Sequence, residues 1–494
     1  VDVGLSGCRV LAISHDGRPL AQARASYAPE RAQNGDLSLD LGRLWEAVQA
    51  SLTEAVQRTR SDRPRALCIT SSSLALVPLG AEGGALAPVT LSAASLPDEE
   101  PTGGFGGLAL DEVVNALGDH PPTVSPLRTL ARWRREHYSL YGRTWRAVPL
   151  ATLVSFRLGG ACLVDPSMAA GMHMLDVAVG GWSGHVLRAA GLSDAKLPEI
   201  APAATPIGTV APPLADRLGL GRDVRIVLGG ADYACAALGV GALHAGVGLL
   251  SLDRVVSILA AYEALPLVGL LYSRGLNAVP HVVADRWLSR VVTPAGGSVL
   301  HWLRDAWLAH EARDAAARGH DFYRRLMEEM PAEPTGLVAF PPAEEALLGE
   351  TVASTGGIWG ISGQTTRGEV VKAFLEGAML ACLPGLDALR EAGVALETLR
   401  ATGPGARSEP WLQLAADVVG LGVEETGVLY PAPLGAAMLA GVGGNVYSSV
   451  RDASDAVVRP QRRYEPRPAH TEAYVALRQR YRAYEEGLLK LDGR

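Results

Sequence analysis

The stretch from Val224 to Gly241 reads V-R-I-V-L-G-G-A-D-Y-A-C-A-A-L-G-V-G. Val224, Ile226, Val227 and Leu228 form a short apolar run with the character of a buried strand. Gly229 and Gly230 break it. Asp232 follows at the mouth of a run of small residues, Ala234 to Gly241, which lets a helix approach other backbone closely. A carboxylate is thereby set at the end of a strand, beside a helix start, where two large lobes can meet. Two readings of Asp232 stand side by side. It is a helix N-cap, satisfying a free backbone N–H, or it is a general base at the end of a sheet strand, where α/β proteins collect their chemistry.

The remainder of the chain bears on that choice. At 494 residues it exceeds what one core serves, so two domains are expected. Its 56 glycines and 32 prolines are dispersed, which excludes collagen-like and low-complexity classes. A net charge of -7 argues against nucleic acid or an anionic membrane as the main partner. Cys8, Cys68, Cys162, Cys235 and Cys382 are scattered without metal spacing and read as buried thiols in a reducing compartment. No apolar stretch of membrane-spanning length and no leader pattern is evident, so a cytoplasmic protein is expected.

Outward from the central stretch, residues 1–26 read as two strands joined by a turn. The Gly- and Ser-containing bend near Gly4 is either a plain hairpin feature or a set of backbone N–H groups aimed at an anion. Residues 40–57 carry Leu41, Leu44, Trp45, Val48, Leu52 and Val56 on one helical face. Strands are expected at 66–70, 74–79 and 86–91. Residues 97–126, rich in Pro, Gly and acids, read as an exposed excursion. A helix is expected over 127–141, with Arg128, Arg132, Arg134 and Arg135 as a solvated face. Ser183 is placed as the N-cap of a later helix. Beyond residue 242, strands are expected at 247–252, 255–260 and 287–292. Pro294-Ala295-Gly296-Gly297-Ser298 then leads into a helix. Thr366 to Glu369 is a capping box before a further helix. A strand at 398–402 meets Gly403-Pro404-Gly405-Ala406-Arg407-Ser408, a helix follows over 409–419, and small residues at 434–440 predict a tightly packed helix. Each half has a Gly bend between strands and a Gly-rich turn before a helix, the latter a ready phosphate site.

These elements carry a resemblance to the FGGY family of carbohydrate kinases, within the actin-like ATPase superfamily, over nearly the whole chain. Its most specific part is G-P-G-A-R-S-E-P-W-L-Q-L-A-A-D at Gly403 to Asp417, followed by P-L-G-A-A-M-L-A at Pro433 to Ala440. The central G-G-A-D-Y-A-C-A-A-L-G, the opening D-V-G-x-S-x-x-R, P-A-G-G-S-V-L-H-W-L-R-D and R-G-E-V-V-K-A-F-L-E-G-A also fit. The resemblance implies an α/β fold of two actin-like, ribonuclease H-like ATPase domains with a cleft between them. Residues 1–242 would form the acceptor-side domain and residues 243–494 the nucleotide-side domain. It further implies transfer of the γ-phosphoryl group of ATP to a hydroxyl of a small sugar or polyol, with Mg²⁺. Asp232 would be the base. Asp2 would hold Mg²⁺, and Gly4, Ser6 and Arg9 would face the phosphates. Gly297 would approach the ADP phosphates, and Gly403, Gly405, Ala406 and Ser408 would border the adenosine. A homodimer is admitted, and neither nucleic acid nor membrane is expected as a partner.

The chain departs from the family pattern in five places. Leu5 stands where the family has threonine. A Gly-Thr-Ser phosphate turn is replaced by Ser251-Leu252-Asp253-Arg254, where Arg254 would substitute for lost donors or turn away with Asp253 at the surface. Pro404 replaces the middle glycine of the adenosine turn and offers no N–H. The sugar-facing Q-M-H-G pattern reads Ser72-Ser73-Leu74-Ala75, and W-x-D-x-R reads Ser92-Ala93-Ala94-Ser95-Leu96. The departures keep two further readings open, a kinase fold without phosphoryl transfer that binds or regulates, and a scaffolding homodimer. No Walker A, HExxH, GxSxG or CxxC pattern points to another enzyme class.

Overall fold

A computed structural model describes residues 1–31, 36–59, 63–265, 268–293, 295–342 and 356–491; Pro294 of the predicted glycine turn lies outside them. The chain opens with three antiparallel strands, β1 (Asp2–Val3), β2 (Gly7–Ile13) and β3 (Pro19–Ser26), where the sequence reading had two. The difference is the Gly4–Gly7 bend, closed by a 2.9 Å bond from the Gly4 N–H to the Gly7 carbonyl, which splits the first strand. Helix α1 (Leu41–Thr59) lays Leu41, Leu44, Val48 and Leu52 on this layer, as its periodicity predicts. Strands β4 (Ala66–Cys68) and β5 (Thr70–Ser71) follow, then β6 (Pro206–Thr209), β7 (Arg225–Val227) and helix α2 (Asp232–Gly239). Pairing runs β3-β2-β1-β5 and β6-β7-β4. Only Ile69 separates β4 from β5, so the two ladders form one continuous layer.

The second half repeats the plan. It contains β8 (Gly246–Leu252), β9 (Val256–Tyr262), β10 (Trp287–Val292), α3 (Ser298–Ala306), α4 (Arg367–Leu380), β11 (Leu396–Thr402), α5 (Glu409–Val419), β12 (Gly422–Glu425), α6 (Pro431–Gly443) and β13 (Arg462–Tyr464). The order is β10-β9-β8-β11-β12-β13, with the edge strand Val279–Pro280 beyond β10. From β3 to β6 and from β10 to β13 the neighbours pair in the same series: antiparallel, antiparallel, parallel, parallel, antiparallel. The duplication inferred from glycine placement is therefore a duplication of sheet topology.

Helices α2 and α6 occupy equivalent places, each after the last parallel strand of its half, and they pack on each other. The contact is backbone to backbone. A Cβ on Gly435 would overlap the Cys235 carbonyl, and one on Gly239 the Pro431 carbonyl. This is the close approach that the small-residue runs predict.

Three expectations need correction. Residues 97–126 are not an exposed excursion: Phe105 is buried, and the helix Leu110–Leu117 buries Val113 and Leu117 in a core with Leu127, Leu130 and Trp133 and turns Val114 into the main core. The helix expected over 127–141 is two, Pro126–Glu136 and Tyr138–Arg143, broken at His137. Its arginines are not simply a solvated face. Arg128 is buried and donates to Glu99 Oε2 at 2.7 Å and to the Ala94 carbonyl at 3.0 Å. Arg132 donates to Ser92 and Arg135 to the Ser95 carbonyl. These arginines clamp the segment that precedes the excursion. Among the described residues no helix is long and apolar enough to cross a membrane.

Candidate active site

Strand register brings two aspartates together. Asp2 pairs with Thr70 and Val3 with Ser71, while Ser71 forms a parallel bridge with Ala231. Thr70 Oγ1 donates to the Gly230 carbonyl at 2.8 Å, tying the middle strand to the turn before α2. Asp2 and Asp232 therefore flank the middle strand, Thr70–Ser71, close enough for the charge of one to act on the other. Ala231, not Asp232, is the N-cap of α2, and the Ala231 N–H is taken by Ser167 Oγ at 3.0 Å. Asp232 is the first helical residue, and its carboxylate accepts the adjacent Tyr233 N–H at 2.7 Å.

Both carboxyls are held above their ordinary range. Burial pushes Asp2 up to about 6, the charge of Asp232 adds to it, and the N-terminal ammonium and Arg9 oppose it. Burial likewise raises Asp232, against the Tyr233 N–H and the charge of Arg290. Arg9 lies 3.8 Å from Asp2, with its guanidinium carbon 3.6 Å over the Tyr430 ring. Tyr430 directly precedes α6, so this cation–π contact joins the first turn of one half to the other half. Gly4 is fixed by the Gly7 bond and by the Tyr27 hydroxyl, which donates to the Gly4 carbonyl at 2.7 Å. Ser6 is exposed at the tip of that bend.

Among the described residues no cluster of three or more His, Cys, Asp or Glu could hold a metal. One buried carboxylate beside a second is nevertheless the donor chemistry suited to Mg²⁺, which keeps most of its water and shares phosphate oxygens. The raised Asp2 carboxyl, with Asp232 adding to its cost of ionisation, is the observation that fits a dication there.

On the other half, β8 and β11 run parallel with Ser251 opposite Thr402, which places the Asp253–Arg254 turn beside Gly403. Gly403 has φ +87, and a Cβ there would stand 3.0 Å from the Leu252 carbonyl. Only glycine takes that backbone without strain. Pro404 opens a 3₁₀ turn, Pro404–Arg407, at a position whose N–H is not used, so its missing donor costs the fold nothing. Gly405 and Ala406 are buried, Gly405 against Trp411, and Ser408 caps α5 by accepting the Trp411 N–H at 3.4 Å. Gly403, Gly405 and Ala406 are all buried and shape the turn from within, while Ser408 caps the helix that follows.

The glycine turn before α3 holds a different arrangement from the expected one. The Gly297 N–H donates to the Asp253 carbonyl at 2.7 Å, and the Ser298 N–H to the Arg254 carbonyl at 3.0 Å. Gly296 lies so close that a Cβ would stand 2.7 Å from the Val256 nitrogen. The N–H of Gly297, which the resemblance sets beside the ADP phosphates, is engaged by the Asp253–Arg254 turn. Asp253 and Arg254 are exposed.

Four residues that sequence reasoning did not single out are linked to one another here: Asp119, His173, Asn277 and Arg290. Asn277 Nδ2 donates to Asp119 Oδ2 at 2.9 Å, which joins the two halves, and Asn277 Oδ1 accepts the backbone N–H of Arg290 at 3.0 Å within the second. The Arg290 charge acts on Asp232, Tyr233 and His173. None of Asp119, His173, Asn277 and Arg290 sits in a motif; only Tyr430, before a proline at a helix start, had a local signal.

Comparison with known proteins follows the same lines. The model of the FGGY family of carbohydrate kinases, N-terminal domain, matches residues 1–239, and that of the C-terminal domain matches residues 271–444. The chain is 26% identical to the xylulose kinase of Bacillus subtilis (strain 168), over 73% of this chain and 72% of that one. It is 22% identical to the autoinducer-2 kinase of Salmonella paratyphi B, over 100% of this chain and 95% of that one. The crystal structure of xylulose kinase from Rhodospirillum rubrum superposes with a TM-score of 0.84 at 24% identity, covering 100% of this chain and 99% of that one.

Proposed function

The chain belongs to the FGGY family of carbohydrate kinases, with the family's two-domain actin-like fold, and on that premise we propose that it transfers the γ-phosphoryl group of ATP to a hydroxyl of a small sugar or polyol. The observation that carries this reading is the meeting of Asp2 and Asp232 across the strand Thr70–Ser71, with Asp232 free of the capping role. Asp232 accepts the proton of the acceptor hydroxyl as its oxygen attacks the γ-phosphorus in line. Its raised carboxyl brings its basicity nearer to that task. Asp2 would hold Mg²⁺, which neutralises phosphate charge when bound. Gly4, Ser6 and Arg9 border the phosphates from the first half, and Gly297 with Gly403 to Ser408 border the nucleotide from the second. We set the boundary between the acceptor-side and nucleotide-side domains at residue 242, after Gly241, whose φ is +72.

A binding or regulatory protein without phosphoryl transfer is the second reading. One observation favours it: the engagement of the Gly297 and Ser298 N–H groups by the Asp253–Arg254 turn. Incubation with ATP, Mg²⁺ and a panel of ketoses, aldoses, polyols and sugar acids, followed by measurement of ADP and phosphorylated product, separates the two. Product formation supports the kinase. ATP binding without product across the panel supports the binder.

A further inference from the structure

Three histidines near the cleft behave differently. His281 is buried and bonded at both nitrogens, Nε2 to the Ala242 carbonyl at 3.1 Å and Nδ1 to the Val283 N–H at 3.1 Å. His120 Nε2 lies 3.1 Å from the Gly103 carbonyl. His173 is 9% exposed, its Nδ1 is sealed from solvent without a partner, and neither ring nitrogen has a hydrogen bond among the described residues. A buried imidazole whose Nδ1 is sealed from solvent without a partner is not what a structural histidine does. Its backbone is also held at φ +58, a left-handed conformation that a non-glycine residue adopts only when its surroundings fix it.

His173 lies two residues past Gly171, where a Cβ would meet Ser73 and the Tyr233 ring. It follows the helix Pro166–Gly171, whose Ser167 carbonyl accepts the Tyr233 hydroxyl at 2.9 Å, and Tyr233 is the neighbour of Asp232. Burial pulls the imidazole down to about 4, so at neutral pH it is uncharged, with one nitrogen donating and one accepting. From the other half, Arg290 is exposed, and its guanidinium makes no ion pair or hydrogen bond among the described residues. Its charge acts on both His173 and Asp232.

The groups that would otherwise meet an acceptor are absent or engaged. Ser73 packs on Gly171, Ser92 accepts from Arg132, and the Ala94 and Ser95 carbonyls accept from Arg128 and Arg135. The hydroxyls of a buried polyol need partners, or each costs its desolvation.

We propose that His173 and Arg290 are acceptor-binding residues that determine specificity, His173 pairing with one hydroxyl and Arg290 closing from the second half over a pair of oxygens at the acceptor's far end. The fork of N–H donors on Arg290 fits a carboxylate or a vicinal diol. The assignment rests on the reading of Asp232 as the base toward that acceptor.

The test uses the full chain, wild type and the variants His173→Leu, His173→Gln and Arg290→Ala. The probes are D-xylulose, D-ribulose, xylitol, glycerol and D-gluconate, with ATP and Mg²⁺, read by steady-state kinetics, by calorimetry of each acceptor and of ATP, and by thermal melting. His173→Leu and Arg290→Ala should each raise the acceptor KM at least tenfold with ATP affinity unchanged, and His173→Gln should recover part of the loss. A larger Arg290→Ala effect on gluconate identifies a carboxylate, and a larger effect on a neutral acceptor a diol. An unchanged acceptor KM in folded variants overturns the proposal. If His173→Leu fails to fold, Arg290→Ala, at an exposed side chain, decides by the same criterion. If wild type binds an acceptor without phosphorylating it, the kinase reading fails, and loss of that binding in the variants still upholds the pair. Wild type that binds none of the five overturns it.

Discussion

At the scale of single residues, Asp232 illustrates how position makes function. The small side chain of Ala231 takes the cap position, so the neighbouring carboxylate is left with one local N–H and the raised basicity that burial gives it. Asp232→Ala is expected to lower kcat by about 10²- to 10⁴-fold while ATP affinity by calorimetry stays within twofold, because the base acts on the acceptor and not on the nucleotide. Near-normal turnover would remove Asp232 from the mechanism. Asp232 was legible as a candidate because it lies inside a strand-to-turn pattern, and Asp2 only because the opening D-V-G-x-S-x-x-R resembles the family's. His173, Asn277 and Arg290 were not, because what links them to the first half is tertiary: Asn277 reaches Asp119 across 158 residues, and the Arg290 charge acts on His173 from a strand of the second half. Ser92 shows the converse. A short polar side chain in a departing motif reads as a lost ligand, yet it is the receptor for an arginine.

At the scale of elements, helices with caps were readable and irregular segments were not. Thr366 accepts the Glu369 N–H while Glu369 Oε2 accepts the Thr366 N–H at 2.7 Å, the reciprocal box that the sequence predicts for α4. Ser183 likewise accepts the Val186 N–H. Residues 97–126 hid their burial because Phe105 and the helix Leu110–Leu117 sit among prolines and glycines and pack on partners farther along the chain. Arg128 at 3% exposure with Glu99 at 24% forms the bond between those segments. Arg128→Ala is expected to destabilise the protein by about 3 kcal/mol in denaturant unfolding, since it leaves a partly buried carboxylate unpaired. The pair also sets a pH dependence. Arg128 holds the Glu99 carboxyl below its ordinary 4.5, so the stabilisation is complete above that value and is lost as pH falls through the lowered folded pKa. Unfolding midpoints of wild type and Arg128→Ala should therefore converge in acid; a constant difference would mean that packing, not the ion pair, carries the effect. The α2–α6 crossing gives a second case. Gly435→Ala drives a methyl into the Cys235 carbonyl, which is backbone and cannot swing aside, and is expected to cost at least about 3 kcal/mol. A loss under 1 kcal/mol by the same measurement would show that the two helices separate freely.

At the scale of the whole molecule, the duplicated sheet explains why one chain holds two kinds of turn at equivalent places. The β1–β2 bend carries Gly4 and faces the Asp2–Asp232 pair; the β8–β9 bend carries Asp253 and Arg254 and faces the glycine turn before α3. In the first the bend is closed on itself by Gly4 and Gly7. In the second the bend carbonyls accept the Gly297 and Ser298 N–H groups, so the backbone there offers a phosphate little until the turn shifts. Phosphate recognition on this side then falls to side-chain charge, and Arg254 is the cation in place, with Asp253 opposing it. ATP is therefore expected to bind through Gly403's turn and the first bend, with Arg254 contributing a charged hydrogen bond. Calorimetry with Mg²⁺ should show Arg254→Ala weakening ATP about 10- to 100-fold, the factor that corresponds to about 1.5–3 kcal/mol for such a bond, while Asp253→Ala tightens it. Unchanged affinity in Arg254→Ala would assign the turn to the surface and leave the first bend to hold the phosphates alone.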